Sequence, residues 1–169
     1  MMKPLSLDDA RHLLAAQGWL ELGDAASAGD ELKEITREER THPAVLQICY
    51  AIYAKRDEWD TAAKVAEELA SLLPDIPGTW INFAYATRRR TGGGIPEAKK
   101  ILLVAEAKFP DDFVIPFNLA CYCSQLHEFE QAEKWLKKAA AIDEKTVHEM
   151  AADDSDLEPL WKSRGSKTI

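Results

Sequence analysis

Four histidines, three cysteines and a glycine triplet are the obvious materials for chemistry in this chain, and their spacing argues against each construction. His12, His42, His127 and His148 are scattered. The stretch His148–Glu149–Met150–Ala151–Ala152 lacks the second histidine that a zinc-protease helix needs one turn further on. Cys121 and Cys123 stand two apart on an expected helix and face different ways, so they cannot hold a metal together. Arg90–Thr91–Gly92–Gly93–Gly94 has the glycines of a phosphate loop. It follows a helix rather than a strand and carries no Lys-Ser/Thr pair, so it is expected to be a connecting turn. No serine or cysteine has a recognisable base partner. The expectation is a chain without catalytic residues, metal or cofactor.

Binding chemistry is better supplied. Asn82 and Asn118 are 36 residues apart, and an amide that donates and accepts at once suits an extended ligand backbone. The segments 43–56, 77–90 and 113–126 contain no Asp or Glu, although the chain is net −8. They carry Lys55, Arg56, Arg88, Arg89 and Arg90, while Asp57, Glu58, Asp60, Glu67, Glu68, Glu97, Glu106, Glu128, Glu130 and Glu133 lie between or beyond them. Cations at helix ends also answer the helix dipole, which accounts for part of this pattern without a ligand. On helical projection, Gln47, Ala51 and Lys55 share one face. Ile81, Tyr85, Arg88 and Arg89 form a second strip, and Phe117, Cys121 and Ser124 a third.

The elements that must position these strips follow from an internal repeat. Ala28, Ala62, Ala98 and Ala132 are separated by 34, 36 and 34 residues. Trp19, Tyr53, Thr87 and Cys123 keep nearly the same gaps, as do Ala15, Cys49, Phe83 and Leu119. Such a period marks stacked helical hairpins, none of which buries its apolar face alone. The two-residue excess falls at Gly92–Gly93–Gly94, where a turn absorbs it. Capping and breaking residues predict helices near 6–22, 25–40, 44–55, 58–73, 78–91, 96–108, 112–125 and 128–142, then short ones near 145–152 and 156–162. Ser6 with Asp9, and Ser155 with Glu158, are expected capping pairs. Ala16, Ala62, Ala84, Ala98, Ala120 and Ala132 are expected at close helix crossings, and the five tryptophans in the core. With 46% hydrophobic residues, 169 residues suffice for a substantial core. Met1 through Asp9 offers no apolar leader, no run is long enough to span a bilayer, and three cysteines form no disulfide framework. A soluble cytoplasmic protein is expected; pI near 5.0 and the lack of an extended basic face argue against nucleic acid.

The residues resemble a known family. Asp57–Glu58–Trp59–Asp60–Thr61–Ala62 to Leu73–Pro74, Pro96–Glu97–Ala98 to Phe109–Pro110 and His127 to Ala139 are similar to second helices of tetratricopeptide repeats. Trp80, Asn82–Phe83–Ala84 and Asn118–Leu119–Ala120 are similar to first helices, and Ala151 to Trp161 to the segment that closes such arrays. The resemblance implies an all-α superhelical solenoid of about four hairpins plus capping helices. Repeats would fall near 9–42, 43–76, 77–112 and 113–144, with a cap at 145–162 in one domain (1–162) and a flexible tail at 163–169. First helices would line a concave groove with an acidic back. Its implied role is a protein-interaction module, with Gln47, Lys55, Asn82, Tyr85, Arg88, Arg89, Phe117, Asn118 and Cys121 as partner contacts. The partner would be a protein or peptide bearing acidic groups, with no nucleic acid and no membrane, and the chain a monomer or weak homo-oligomer. The first-unit places Leu13 and Gln17 do not reproduce the two-carboxylate clamp of chaperone-binding members. A chaperone for a secreted effector and a self-associating scaffold are the alternatives.

Overall fold

Ser6 opens the first helix by accepting from the Asp9 amide at 3.1 Å, while its hydroxyl donates to Asp9 Oδ2 at 2.7 Å. The same carboxylate reaches across the fold to take the Thr36 amide at 2.7 Å and the Thr36 hydroxyl at 3.0 Å. The computed structural model describes residues 3–166, and every regular element among them is helical. The helices are α1 (Leu7–Glu21), α2 (Ala25–Glu34), α3 (Pro43–Lys55), α4 (Trp59–Leu72) and α5 (Pro77–Arg89), followed by α6 (Ile95–Lys108), α7 (Val114–Gln125), α8 (Phe129–Ile142), α9 (Glu144–Asp153) and α10 (Glu158–Arg164). Expectations about Met1, Met2 and the last three residues of the tail lie outside the described residues.

Several boundaries differ from expectation by a residue or two, and three differences have a visible cause. The second helix stops at Glu34 instead of continuing to Arg40. Buried Ile35 turns the backbone extended, Asp9 captures Thr36, and Arg40 donates to the carbonyls of Lys33 and Ile35, leaving only a 3-10 turn at Arg37–Glu39. Near the carboxyl end Asp154, not Ser155, supplies the cap, accepting from the Asp156 amide at 2.8 Å before a 3-10 turn at Ser155–Leu157. The first two residues of the expected tail, Ser163 and Arg164, belong to α10, and Arg164 pairs with Glu133 at 3.2 Å.

The repeat is written into the turns as well as the side chains. Gly23, Asp57 and His127 all take positive φ, at 84°, 57° and 59°. Behind them the amides of Asp24, Glu58 and Glu128 donate to the carbonyls of Trp19, Tyr53 and Cys123 at 2.8, 2.9 and 2.8 Å. This is the bond pattern of a left-handed helix stop. After α5 it is absent: Arg90 is extended, and the Thr91 amide instead donates to Asp60 Oδ1 at 2.7 Å. The extra residues of the glycine triplet thus displace the turn motif as well as the register.

Residues Met1–Gly92 and Gly93–Ile169 form two compact units. In the first, α1 pairs with α2, α3 with α4, and α4 with α5, while α3 also lies against α1 and α2. In the second, α7 pairs with α8, α6 lies against α7, and α9 against α8. The Ser155–Leu157 turn and α10 fold back onto α7. Ala16, Ala62, Ala84, Ala98, Ala120 and Ala132 are all 0% exposed, as short residues at close helix approaches must be. The tryptophans divide: Trp161 is buried, Trp59, Trp80 and Trp135 are half-buried, and Trp19 is exposed.

Candidate functional site

Within the first unit, α3 and α5, the helices that carry the first two expected strips, are linked by a hydrogen bond. Tyr50 on α3 donates its hydroxyl to the Asn82 carbonyl on α5 at 3.4 Å, tying the two helices. Burial pushes the Tyr50 phenol up to about 12, with Tyr85 adding to the shift and Arg89 opposing it, so it stays a donor at neutral pH. Tyr50, Tyr53 and Trp59 pack on the buried alanines Ala62, Ala63 and Ala86. That floor holds α5 where its solvent-facing side stays open.

On that side the chemistry concentrates at one cluster. Arg89 donates to the Tyr85 carbonyl at 3.2 Å, which folds its side chain back along α5. Its guanidinium carbon then sits 3.5 Å from the Tyr85 ring centroid and 5.3 Å from that of Trp59. The two rings meet edge to face at 5.7 Å. Stacking a cation on two aromatic faces fixes the guanidinium without neutralising it. Tyr85 remains 40% exposed. A shallow cavity of about 290 Å³ beside the cluster is lined by Trp59, Thr61, Arg89 and Thr91 and by the carboxylates of Asp57, Glu58 and Asp60. Asp60 is already committed there to the Thr91 amide. Gln47 and Lys55 are exposed on α3, Asn82 is half-buried, and Arg88 is half-buried and already engaged.

The third strip is different. Phe117 and Cys121 were expected as partner contacts, and both are only 2% exposed. The chain's own closing segment covers their helix. Cys121 Sγ lies 3.7 Å from Asp154 Oδ2, Gln125 donates to the Asp156 carbonyl at 2.9 Å, and the buried Ser124 hydroxyl accepts the Leu160 amide at 3.2 Å. Leu157 and Leu160 are fully buried in the same segment. Asn118 is half-buried and donates to the Val114 carbonyl of its own helix at 2.9 Å. A surface role for Phe117 and Cys121 is therefore corrected to a packing role. An apolar face at α7 is worth more covered by leucines already tethered to the chain than left in water.

Trp59 is the member of the cluster that sequence reasoning placed in the core. Tyr85 and Arg89 are a visible pair one turn apart, but the tryptophan reaches them from another helix, which no local spacing reveals. Among the described residues no group of three or more His, Cys, Asp or Glu is arranged to hold a metal, and no helix is long and apolar enough to cross a membrane.

No family model and no curated protein matches this sequence. Solved structures do. A thermophilic tetratricopeptide-repeat protein of Thermus thermophilus, TTC0263, superposes with TM-score 0.69 at 20% identity, over 93% of this chain and 83% of that one. MamA 41-end from Desulfovibrio magneticus RS-1 gives 0.72 at 16% identity, over 96% and 92%. A further MamA crystal structure gives 0.73 at 12% identity, over 95% and 84%. At such identities the likeness is one of fold, and the fold is that of the tetratricopeptide-repeat solenoids.

Proposed function

We propose that this chain is a non-catalytic protein-interaction module that holds a segment of a partner against α3 and α5. One observation carries the reading: in a chain of net charge −8, these two helices have no carboxylate and display a partly exposed Tyr85–Arg89 stack. An acidic partner group meets the guanidinium, an apolar one meets Tyr85, and the Asn82 amide serves the partner backbone. Gln47 and Lys55 extend the contact along α3. Phe117 and Cys121 leave the proposal because they are buried, and Asn118, whose amide is bonded to its own helix, is proposed only as a separate contact of the second unit. The place of action is the cytoplasm.

Partner capture tests this directly. A photo-crosslinking residue at position 85 should trap one recurrent protein in the native cell. Asn82→Ala combined with Arg89→Ala should then lower recovery of that protein about tenfold, the loss typical of a central contact. Unchanged recovery by the folded double variant defeats the assignment.

A second reading, self-association, is favoured by α1. Leu7 is 83% exposed and Leu14 70%, and they stand two turns apart on one face.

A further inference from the structure

A separate cavity, of about 250 Å³, opens between α2 and α3 in the first unit. Its floor is Leu32, Val45 and Ile52, and its rim is Lys33, Arg40 and Arg56, with no carboxylate in the lining. Three cations around an apolar floor in a chain of net charge −8 are a local inversion of the molecule's charge.

The rim is built, not incidental. Arg40 donates to the carbonyls of Ile35 at 3.1 Å and Lys33 at 2.7 Å, which fixes its guanidinium while leaving the positive charge in place. Arg56 donates to the Ala25 carbonyl at 2.8 Å and so lies across α2. It fits because residue 29 is glycine: a Cβ there would meet Arg56 Nη2 at 3.1 Å. A glycine inside a helix costs about 0.5–1 kcal/mol relative to alanine, and here its space is filled by the guanidinium. Two of the rim cations also carry ion pairs, Lys33 to Asp30 at 2.7 Å and Arg56 to Glu58 at 3.9 Å.

We propose that this cavity is a binding site for a short aliphatic carboxylate, its chain on Leu32, Val45 and Ile52 and its carboxylate held by Arg40 and Arg56. Pockets for drug-sized ligands run to about 300–1,000 Å³, so this one is sized for a small acid. The N–H groups that Arg40 and Arg56 do not spend on these carbonyls suit a carboxylate in plane, and an apolar floor rejects ions that are hydrated all round. The assignment is independent of the Tyr85–Arg89 reading, since none of its residues belongs to that cluster.

Cys49 lines the cavity and gives the readout. It is half-exposed, whereas Cys121 and Cys123, the other two cysteines, are buried. Alkylation of the intact protein by iodoacetamide, a neutral reagent, therefore follows this site. Burial pushes the Cys49 thiol up, so the reaction is run at mildly alkaline pH. With 4-methylpentanoate at about ten times its Kd, alkylation should slow about tenfold. The corresponding amide, and sodium chloride at equal ionic strength, should leave it unchanged. Arg40→Gln and, separately, Arg56→Gln should abolish the protection while keeping the helical circular dichroism spectrum of the parent. Protection equal for acid and amide, or none by the acid at millimolar concentration, overturns the site. Protection only by an acetylated peptide ending in a free leucine carboxylate overturns the small-acid assignment in favour of a peptide terminus.

Discussion

Asp9 shows how much one carboxylate does here. It is 2% exposed and takes bonds from Thr36 and Ser6, which hold its carboxyl below the ordinary range, the Thr36 amide contributing most. The folded pKa lies below the unfolded value of 3.8, so the ionised form favours the fold. Its stabilisation is present above that value and is lost as pH falls through it toward the lower folded pKa. Asp24 and Asp143, each bonded to amides at a helix start, shift in the same direction. Asp9→Asn should therefore be less stable than the parent at pH 7, and the gap should narrow as the pH falls below about 4. Urea unfolding at pH 7, 5 and 3 checks this; a gap constant with pH would mean that the carboxylate's charge is irrelevant. The motif Ser6-x-x-Asp9 was legible as a cap. The reach of Asp9 to Thr36 was not, because a hydrogen bond between residues 27 apart leaves no local pattern.

Helix α7 is the element whose surroundings depart furthest from its pattern. Its sequence has no charge and the spacing of a groove-lining helix, yet Ile115 through Ser124, Asn118 apart, is buried. The hairpin α7–α8 also carries Ala132, 0% exposed, at the repeat position shared with Ala98, Ala62 and Ala28. A larger side chain there has no space to enter. Ala132→Leu should cost about 1–3 kcal/mol through forced rotamers and helix displacement. Thermal unfolding that matches the parent would show that the alanine register marks something other than close approach. Ala98→Leu on α6 should behave alike, since it too is 0% exposed.

At the scale of the whole molecule, charge and apolar surface pull against each other. A net charge of −8 repels like copies, while Leu7, Leu14 and, just beyond the helix, Leu22 leave apolar area in water. If α1 is a self-association face, salt strengthens association, because screening beyond about 10 Å at 0.1 M removes the repulsion and leaves the apolar attraction. Light scattering over a concentration series should then show mass rising with protein and with salt, and Leu7→Glu with Leu14→Glu should hold it at the monomer value. A constant monomer mass for the parent under all conditions removes the self-association reading.

The amino-acid sequence by itself determined the helical class, the hairpin repeat, the site of the register slip and the alanines of the close approaches. These are periodic properties, set by 3.6-residue geometry and steric size, and periodicity is written along a chain. Only the tertiary structure decided that Trp59 joins Tyr85 and Arg89, that Arg56 lies over Gly29 beside a cation-rimmed cavity, and that the closing segment covers Phe117 and Cys121. Each of these brings together residues of different elements, and the free energy that does so comes from burial and fixed hydrogen bonds, which depend on proximity in space and carry no period in sequence.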